Sequence, residues 1–462
     1  MSRKHFTFFL GLIYICLASL YLFNPVRLIA PPPTGDLSAF IRELDTRMPR
    51  FLQGVRVPGA SVALIQHGRV VWAKGYGMAD VQQGIPVSAQ TIFQAASVSK
   101  TATAWGVMKL VEDGTLTLDA PAESYLTRWH LPPSGFDSNE VTIRRLLSHT
   151  SGLVASDYVG YPPGQPLPAL EESLANGPPV PTGRMKEIPG SLNIERTRIV
   201  APPGQAFIYS DANYILLQLI IEEVTGEPFA VYIQREVLTP LGLTDSSFAR
   251  TPELIPRTAI PYDVFGEPLP DFVFTELAPA GLYTTASDLA RFVASGLPGP
   301  NGEPAGRGVI SPASLVLMTS PAVEVPGLDG WVYGNTYGFG YYIETQSDGR
   351  SLLSHSGGNL GWACEYSAFP SNADGVVIMT NGSAGHEVYA DVLTAWTDWL
   401  GRDETHLAHS ILLGRRVFQT LSFSMLVAAA ILLTRLVIGI RSGKHRFSRV
   451  RLSVGRAIGA GL

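Results

Sequence analysis

The chain has 462 residues, more than one hydrophobic core ordinarily serves, so one large two-lobed unit or two ordinary domains is expected. With 46% hydrophobic and 16% charged residues, 46 glycines and 35 prolines, the composition is globular with a shift toward the membrane, and it excludes disorder, collagen and coiled coil. The formal charge is −5, yet residues 1–30 and 415–462 hold bases and no acid, so the part between them is strongly acidic and nucleic acid is excluded as a partner. Cys16 and Cys364 are the only cysteines, too few for a disulfide framework or a Cys-rich zinc site.

Phe6 to Phe23 form an uncharged apolar run behind Arg3 and Lys4, and residues 1–30 read as a signal peptide or signal anchor with a short linker. Leu28 sits two residues before Ala30, where cleavage favours a small residue, and Ile15 before Cys16 argues against a lipoprotein site, so retention is expected. After the Pro31 to Pro33 spacer, a helical pattern covers Leu37 to Phe51. Ala60 to Gln66 and Arg69 to Gly75 alternate like two strands joined at His67-Gly68. Residues 101–113 read as a helix with Gly114 just past its end, and Val141 to Leu147 as a helical or extended segment. From Ala155 to Gln205 the chain is rich in Pro and Gly with little period, a length of irregular chain that usually carries function or disorder.

Helical patterns return at Tyr209 to Glu223 and Ser287 to Ser295. Gly338 to Glu344, Ser351 to Ser354, Trp362 to Phe369 and Gly375 to Thr380 read as consecutive strands, followed by an amphipathic helix from His386 to Leu400. Strands at both ends and helices between them predict an α+β fold, with one sheet built from the two chain ends and a helical lobe inserted in the middle. Residues 31–410 form the predicted catalytic domain, 411–440 a transmembrane helix containing the apolar run Val417 to Ile440, and 441–462 a basic cytoplasmic tail. Two spans with bases at both ends place residues 31–410 on the extracytoplasmic face and both termini in the cytoplasm.

Several familiar sites are absent. No glycine-rich dinucleotide or phosphate loop occurs, His386-Glu387-Val388-Tyr389-Ala390 lacks the second histidine of a zinc protease, and there is no Gly-x-Ser-x-Gly elbow. What remains is Ser97-Val98-Ser99-Lys100 at a helix start. A spacing of three puts Ser97 and Lys100 one turn apart on one face, where a desolvated lysine is able to activate a hydroxyl. The bland alternative is a capped helix with a solvated lysine. Tyr209-Ser210-Asp211 opens another helix, where a tyrosine is placed to exchange protons or merely to pack beside an N-capping Asp211. His355-Ser356-Gly357-Gly358 ends an apolar strand, where glycines let a substrate backbone approach the edge and a strand N–H is able to face that of Ser97 in an oxyanion hole.

In this order and spacing, the three motifs resemble those of the serine β-lactamase-related hydrolases: class C β-lactamases, D-Ala-D-Ala carboxypeptidases, D-aminopeptidases and related esterases. Their motifs are Ser-x-x-Lys, Tyr-x-Asn and Lys/His-x-Gly. Gly75-Tyr76-Gly77, the stretch Leu146 to Leu153, the stretch Gly281 to Leu289, and Tyr337-Gly338-Phe339-Gly340 extend the likeness over about residues 37–400. The resemblance implies a β-lactamase/transpeptidase-like antiparallel sheet flanked by helices, with Ser97 as acylated nucleophile, Lys100 as its base and Tyr209 as proton shuttle. It further implies an oxyanion hole from the N–H groups of Ser97 and Gly358, substrate contacts at Asp211, His355 and Gly357, and neither metal nor organic cofactor. Two departures bear on the substrate. His355 stands where strict β-lactamases carry lysine, which favours esters, amides or unusual peptides over carboxylate-terminated ones. Asp211 replaces the usual asparagine and puts an anion near Lys100, which favours the protonated amine and offers a site for a substrate amine. The resemblance implies a serine hydrolase acting through an acyl-enzyme on a small-molecule or peptide substrate, and with the apolar ends the expectation is a membrane-anchored enzyme acting on peptide or amide bonds of cell-envelope or small secreted peptides. A small-ester hydrolase and a penicillin-recognising membrane sensor are the alternatives.

Overall fold

The computed structural model describes residues 36–155, 160–176 and 197–442. The N-terminal apolar run, most of the basic tail and the centre of the irregular segment lie outside the described residues. The described residues from 36 to 411 belong to one compact unit, and from Leu412 onward the described part of the second unit is the continuation of a single helix.

The compact unit is built on a nine-stranded antiparallel sheet. Its strands are β1 Gly59–Gln66, β2 Arg69–Asp80, β3 Ile85–Pro86, β4 Val323–Glu324, β5 Thr336–Tyr337, β6 Tyr342–Thr345, β7 Ser351–Asn359, β8 Trp362–Phe369 and β9 Asp374–Thr380, in the spatial order β3-β2-β1-β9-β8-β7-β6-β5-β4. The β1–β9 pairing, in register from Ala60↔Thr380 to Ile65↔Gly375, joins the two ends of the unit, as the sequence pattern predicts. Successive side chains point to opposite faces, so Val62 and Leu64 enter one core and Ala63 and Ile65 the other. Where the sequence suggested alternation, Val62 to Ile65 is apolar at every position because both faces are covered.

One face is closed by α1 (Leu37–Val55), whose Phe40, Leu44, Met48 and Leu52 recur at helical spacing and are buried. Other helices follow in chain order: α2 Ser99–Glu112, α3 Asp211–Thr225, α4 Ala286–Ser295, α5 His386–Leu400 and α6 His406–Arg441. The α5 helix joins α1 on its face, where Trp396 stacks on Phe369 with ring centroids 5.3 Å apart. The opposite face carries α2, α3 and α4 in the larger core, the expected inserted lobe. α2 is buried on nearly every side, which accounts for its weak amphipathic signature.

Two expectations shift. Gly338 to Glu344 is not one strand, because the chain turns between β5 and β6, with Gly338 N–H donating to the Tyr341 carbonyl and Gly340 at φ +79°. A side chain at Gly340 would meet the Lys100 carbonyl at 3.2 Å, so this turn is where the sheet lets α2 pass. Within the irregular segment, Leu170–Asn176 is a helix and Arg198–Ile199 pairs with Leu153–Val154. α6 is one continuous helix of 36 residues, starting well before the apolar run, and is long and apolar enough to cross a membrane.

Candidate active site

Ser97 sits in a single 3₁₀ turn, Ala96–Val98, that leads directly into α2. The residue before it, Ala96, has φ +46°, a left-handed conformation costly for a residue with a Cβ. The strain sharpens the strand-to-helix turn and presents Ser97 to the pocket without the glycine that sequence motifs look for. Ser99 faces the other way, its Oγ accepting from Leu282 N–H at 3.0 Å.

Lys100 lies one turn further on and is fully buried. Its Nζ is 3.0 Å from Ser97 Oγ, 2.7 Å from Asp211 Oδ1 and 3.1 Å from the Pro279 carbonyl oxygen. Asp211 and Pro279 offer only acceptors, so two N–H bonds are committed to them in either protonation state. Toward Ser97, an ammonium donates to Oγ, and a neutral amine is able to direct its lone pair at the hydroxyl proton. The aromatic faces of Tyr209 and Tyr214, 4.9 and 5.8 Å from Nζ, complete the enclosure.

Tyr209 is in place before α3, and Ser210 is the residue that caps the helix, its side chain accepting from Ala212 N–H. The bland reading of Asp211 as the cap is therefore corrected: it occupies the first turn, and its carboxylate turns to Lys100. The site also contains His149, fully buried, with Nδ1 receiving Ser210 N–H at 3.3 Å and Asn213 Nδ2 at 3.1 Å. Burial, with Lys100 and His355 nearby, holds its imidazole well below the ordinary range and neutral. With Nδ1 accepting, its proton sits on Nε2 among the rings of Phe207, Tyr209, Tyr214 and Tyr337. Asn213 in turn accepts from Ser151 Oγ at 2.5 Å, so the Ser148 to Gly152 stretch braces the start of α3.

β7 runs through His355–Gly358 without ending there, paired to β8 from Leu353↔Ala368 to Asn359↔Trp362. Its other neighbour, β6, pairs only as far as Tyr342↔Ser354. Beyond that point the edge of β7 borders a cavity of about 690 Å³, lined among others by Ser97, Tyr209, Asp211, Ser356, Gly357 and Gly358. A side chain at Gly357 would lie 2.3 Å from the Ala95 carbonyl and 2.9 Å from Ser97 N, so glycine lets β7 press against the serine turn. Gly358 is open to the cavity.

His355 is not part of that lining. Its ring is fully buried, with Nε2 3.2 Å from Tyr337 Oη and Nδ1 2.7 Å from the Ser356 carbonyl. Burial first, then the charge of Lys100, lowers its imidazole to about 3. The neutral ring lies behind the lining, since strand alternation aims it into the Tyr209, Tyr337 and Tyr342 cluster. Among the described residues, no group of three His, Cys, Asp or Glu side chains converges to hold a metal ion.

The β-lactamase family model, described as "Beta-lactamase", matches residues 44–397. The chain belongs to the β-lactamase family. Among its relatives, Protein flp of Staphylococcus aureus (strain MRSA252) is 27% identical over 344 residues, covering 74% of this chain and 62% of the relative. A putative penicillin-binding protein, PbpX of Bacillus subtilis (strain 168), is 28% identical over 303 residues, 64% of this chain and 65% of that one. This β-lactamase-family chain therefore spans less than two thirds of the length of these curated relatives. An octameric penicillin-binding protein homologue from Pyrococcus abyssi superposes with a TM-score of 0.61 at 28% identity, covering 79% of this chain and 78% of its own.

Three parts of this β-lactamase-family site lie outside the sequence motifs. The Pro279 carbonyl left no signal, because a backbone acceptor has none. The Ala96 strain is likewise silent in sequence. Glu365, fully buried on β8, accepts from Ser356 Oγ across the strand pair and from Ser367 Oγ at 2.9 Å. A glutamate inside a run of otherwise apolar or small strand residues was the available signal.

Proposed function

We propose that the chain is a membrane-anchored, extracytoplasmic serine hydrolase that works through an acyl-enzyme on amide or peptide bonds of cell-envelope or small secreted peptides. The observation that carries this reading is the contact of a fully buried Lys100 with Ser97 Oγ at 3.0 Å, with Asp211 and the Pro279 carbonyl also in hydrogen-bonding contact. In the acylation step Lys100, as the free amine, takes the Ser97 proton while Oγ bonds to the substrate carbonyl carbon. The charge that develops on the carbonyl oxygen is met by the N–H groups of Ser97 and Gly358. Tyr209, whose ring lies over Lys100, passes the proton to the leaving nitrogen as the C–N bond breaks. Water then repeats the sequence on the Ser97 ester and regenerates the hydroxyl.

A small-ester substrate is the second reading, favoured by the neutral, buried state of His355, which supplies no positive charge for a substrate carboxylate. The anchoring rests on α6 and on the charge pattern at the ends of the chain. The test is labelling of the full chain with a fluorophosphonate probe and peptide mass mapping. The adduct is expected on Ser97, with labelling and hydrolysis both lost in Ser97→Ala. An adduct on Ser99 or Ser356 would overturn the assignment.

A further inference from the structure

The pocket wall contains a buried acid that the proposed chemistry does not use. Glu365 lies directly across from Ser356 in the β7–β8 pairing, so their side chains share a face, and Ser356 lines the cavity. Ser367, two residues along β8, is buried and donates its hydroxyl to Glu365 Oε1. Among the described residues, the titratable groups that interact with Glu365 include Glu344 on β6, Cys364 and Tyr366 on β8, Tyr389 on α5, and Tyr333 at the end of the helix Gly327–Tyr333. None of these is a cation. Burial, reinforced by Glu344, pushes the Glu365 carboxyl up to about 8 against the lowering by its two serines.

Two arrangements of the Ser356 hydroxyl follow from its single proton. Facing a carboxylate, Ser356 donates backward into the wall and shows the cavity only lone pairs. Facing a carboxylic acid whose Oε1 is already occupied by Ser367, it receives the Oε2 proton and its own O–H is released toward the cavity. Resting on the proposed serine hydrolase reading, we infer that Glu365 is a specificity-setting residue: in its acid form it makes Ser356 a hydrogen-bond donor to an uncharged carbonyl oxygen of the substrate, and in its ionised form it turns this subsite toward cationic groups. The subsite therefore takes amide- or ester-bearing substrates at neutral pH. It does so without the cation that a substrate carboxylate would require.

The test uses the full-length protein in detergent and two acetyl thioesters, acetylthiocholine and S-acetyl-2-mercaptoacetamide. The first ends in a permanent cation and the second in a neutral amide. Both acetylate the same serine, so titration of Lys100 cancels in the ratio of their kcat/KM values. Between pH 6.5 and 9.5 the thiocholine-to-amide ratio is expected to rise about tenfold, the worth of one hydrogen bond. Glu365→Gln, which still donates to Ser356 and accepts from Ser367, should hold the ratio flat at its low value. Ser356→Ala should cost the amide probe about tenfold at pH 6.5 and spare the thiocholine probe. A wild-type ratio that is flat with pH, or a step that survives Glu365→Gln, overturns the inference. Undiminished hydrolysis by Ser97→Ala would instead overturn the nucleophile assignment, and the infrared carbonyl band of a protonated carboxyl, present in the wild type and lost in Glu365→Gln, reads Glu365 independently of turnover.

Discussion

At Asp211 a carboxylate meets a fully buried lysine at 2.7 Å, a contact that favours the ammonium, whereas the proposed base is the amine. The two demands set where activity begins on the acid side. Asp211→Asn restores the residue found in the family motif and removes the anion, so the neutral amine persists to lower pH. The acid limb of kcat/KM is expected to move to lower pH. Any preference for amine-bearing substrates should fall with it. An unchanged limb and unchanged preference would leave Asp211 as a packing neighbour. His355 behaves oppositely. Its folded-state value lies below the ordinary 6.5, so its neutral burial stabilises fully above that value, and the contribution is lost as pH falls toward 3. Melting curves of wild type and His355→Gln should therefore converge or cross between pH 6.5 and 3. A constant difference would show that the ring is not held neutral.

The elements that meet at the site are β7 and the turn into α2, and Gly357 is the point of closest approach. Gly357→Ala puts a methyl group within 2.3 Å of a backbone oxygen, which β7 relieves only by moving away from Ser97. Expected costs are about 1–3 kcal/mol of stability, by analogy with overpacking, and roughly a hundredfold in kcat/KM, because the Gly358 N–H moves with the strand. A variant with wild-type activity would separate the strand edge from the chemistry. The same elements show why some features were legible in sequence. β1, β8 and β9 show their two-sided burial in runs of mostly apolar or small residues and α5 in its helical spacing, and Ser97 and Lys100 are bound together by helical spacing. The β5–β6 turn was not legible, since what bends the chain at Gly340 is α2, more than two hundred residues away. The burial of His355 was not legible for a related reason: strand alternation and the tyrosine cluster, not the residue's type, decide where the ring goes.

At the scale of the molecule, the charge distribution and the C-terminal helix argue for one orientation. The compact unit lies between two ends that carry bases and no acids, and the positive-inside rule assigns such ends to the cytoplasm. α6 continues through the apolar run to Arg441, and Arg435 is the only charge between Val417 and Ile440. A single charge in a span of this length is accommodated when the long side chain reaches toward the headgroups. In the proposed orientation Arg415 and Arg416 would stand at the outer end and oppose it, but Arg441, Lys444, Arg446, Arg449, Arg451 and Arg456 outnumber them. Alkaline carbonate extraction is therefore expected to leave the full chain with the membranes, and truncation before Leu412 should weaken that retention, leaving any anchor at the N-terminal run. A C-terminal tag should resist protease added to intact spheroplasts and be cut only after permeabilisation, while Ser97 stays accessible to an impermeant fluorophosphonate from outside. Digestion of the tag in sealed spheroplasts would remove the second span and put the basic tail on the same side as the active site.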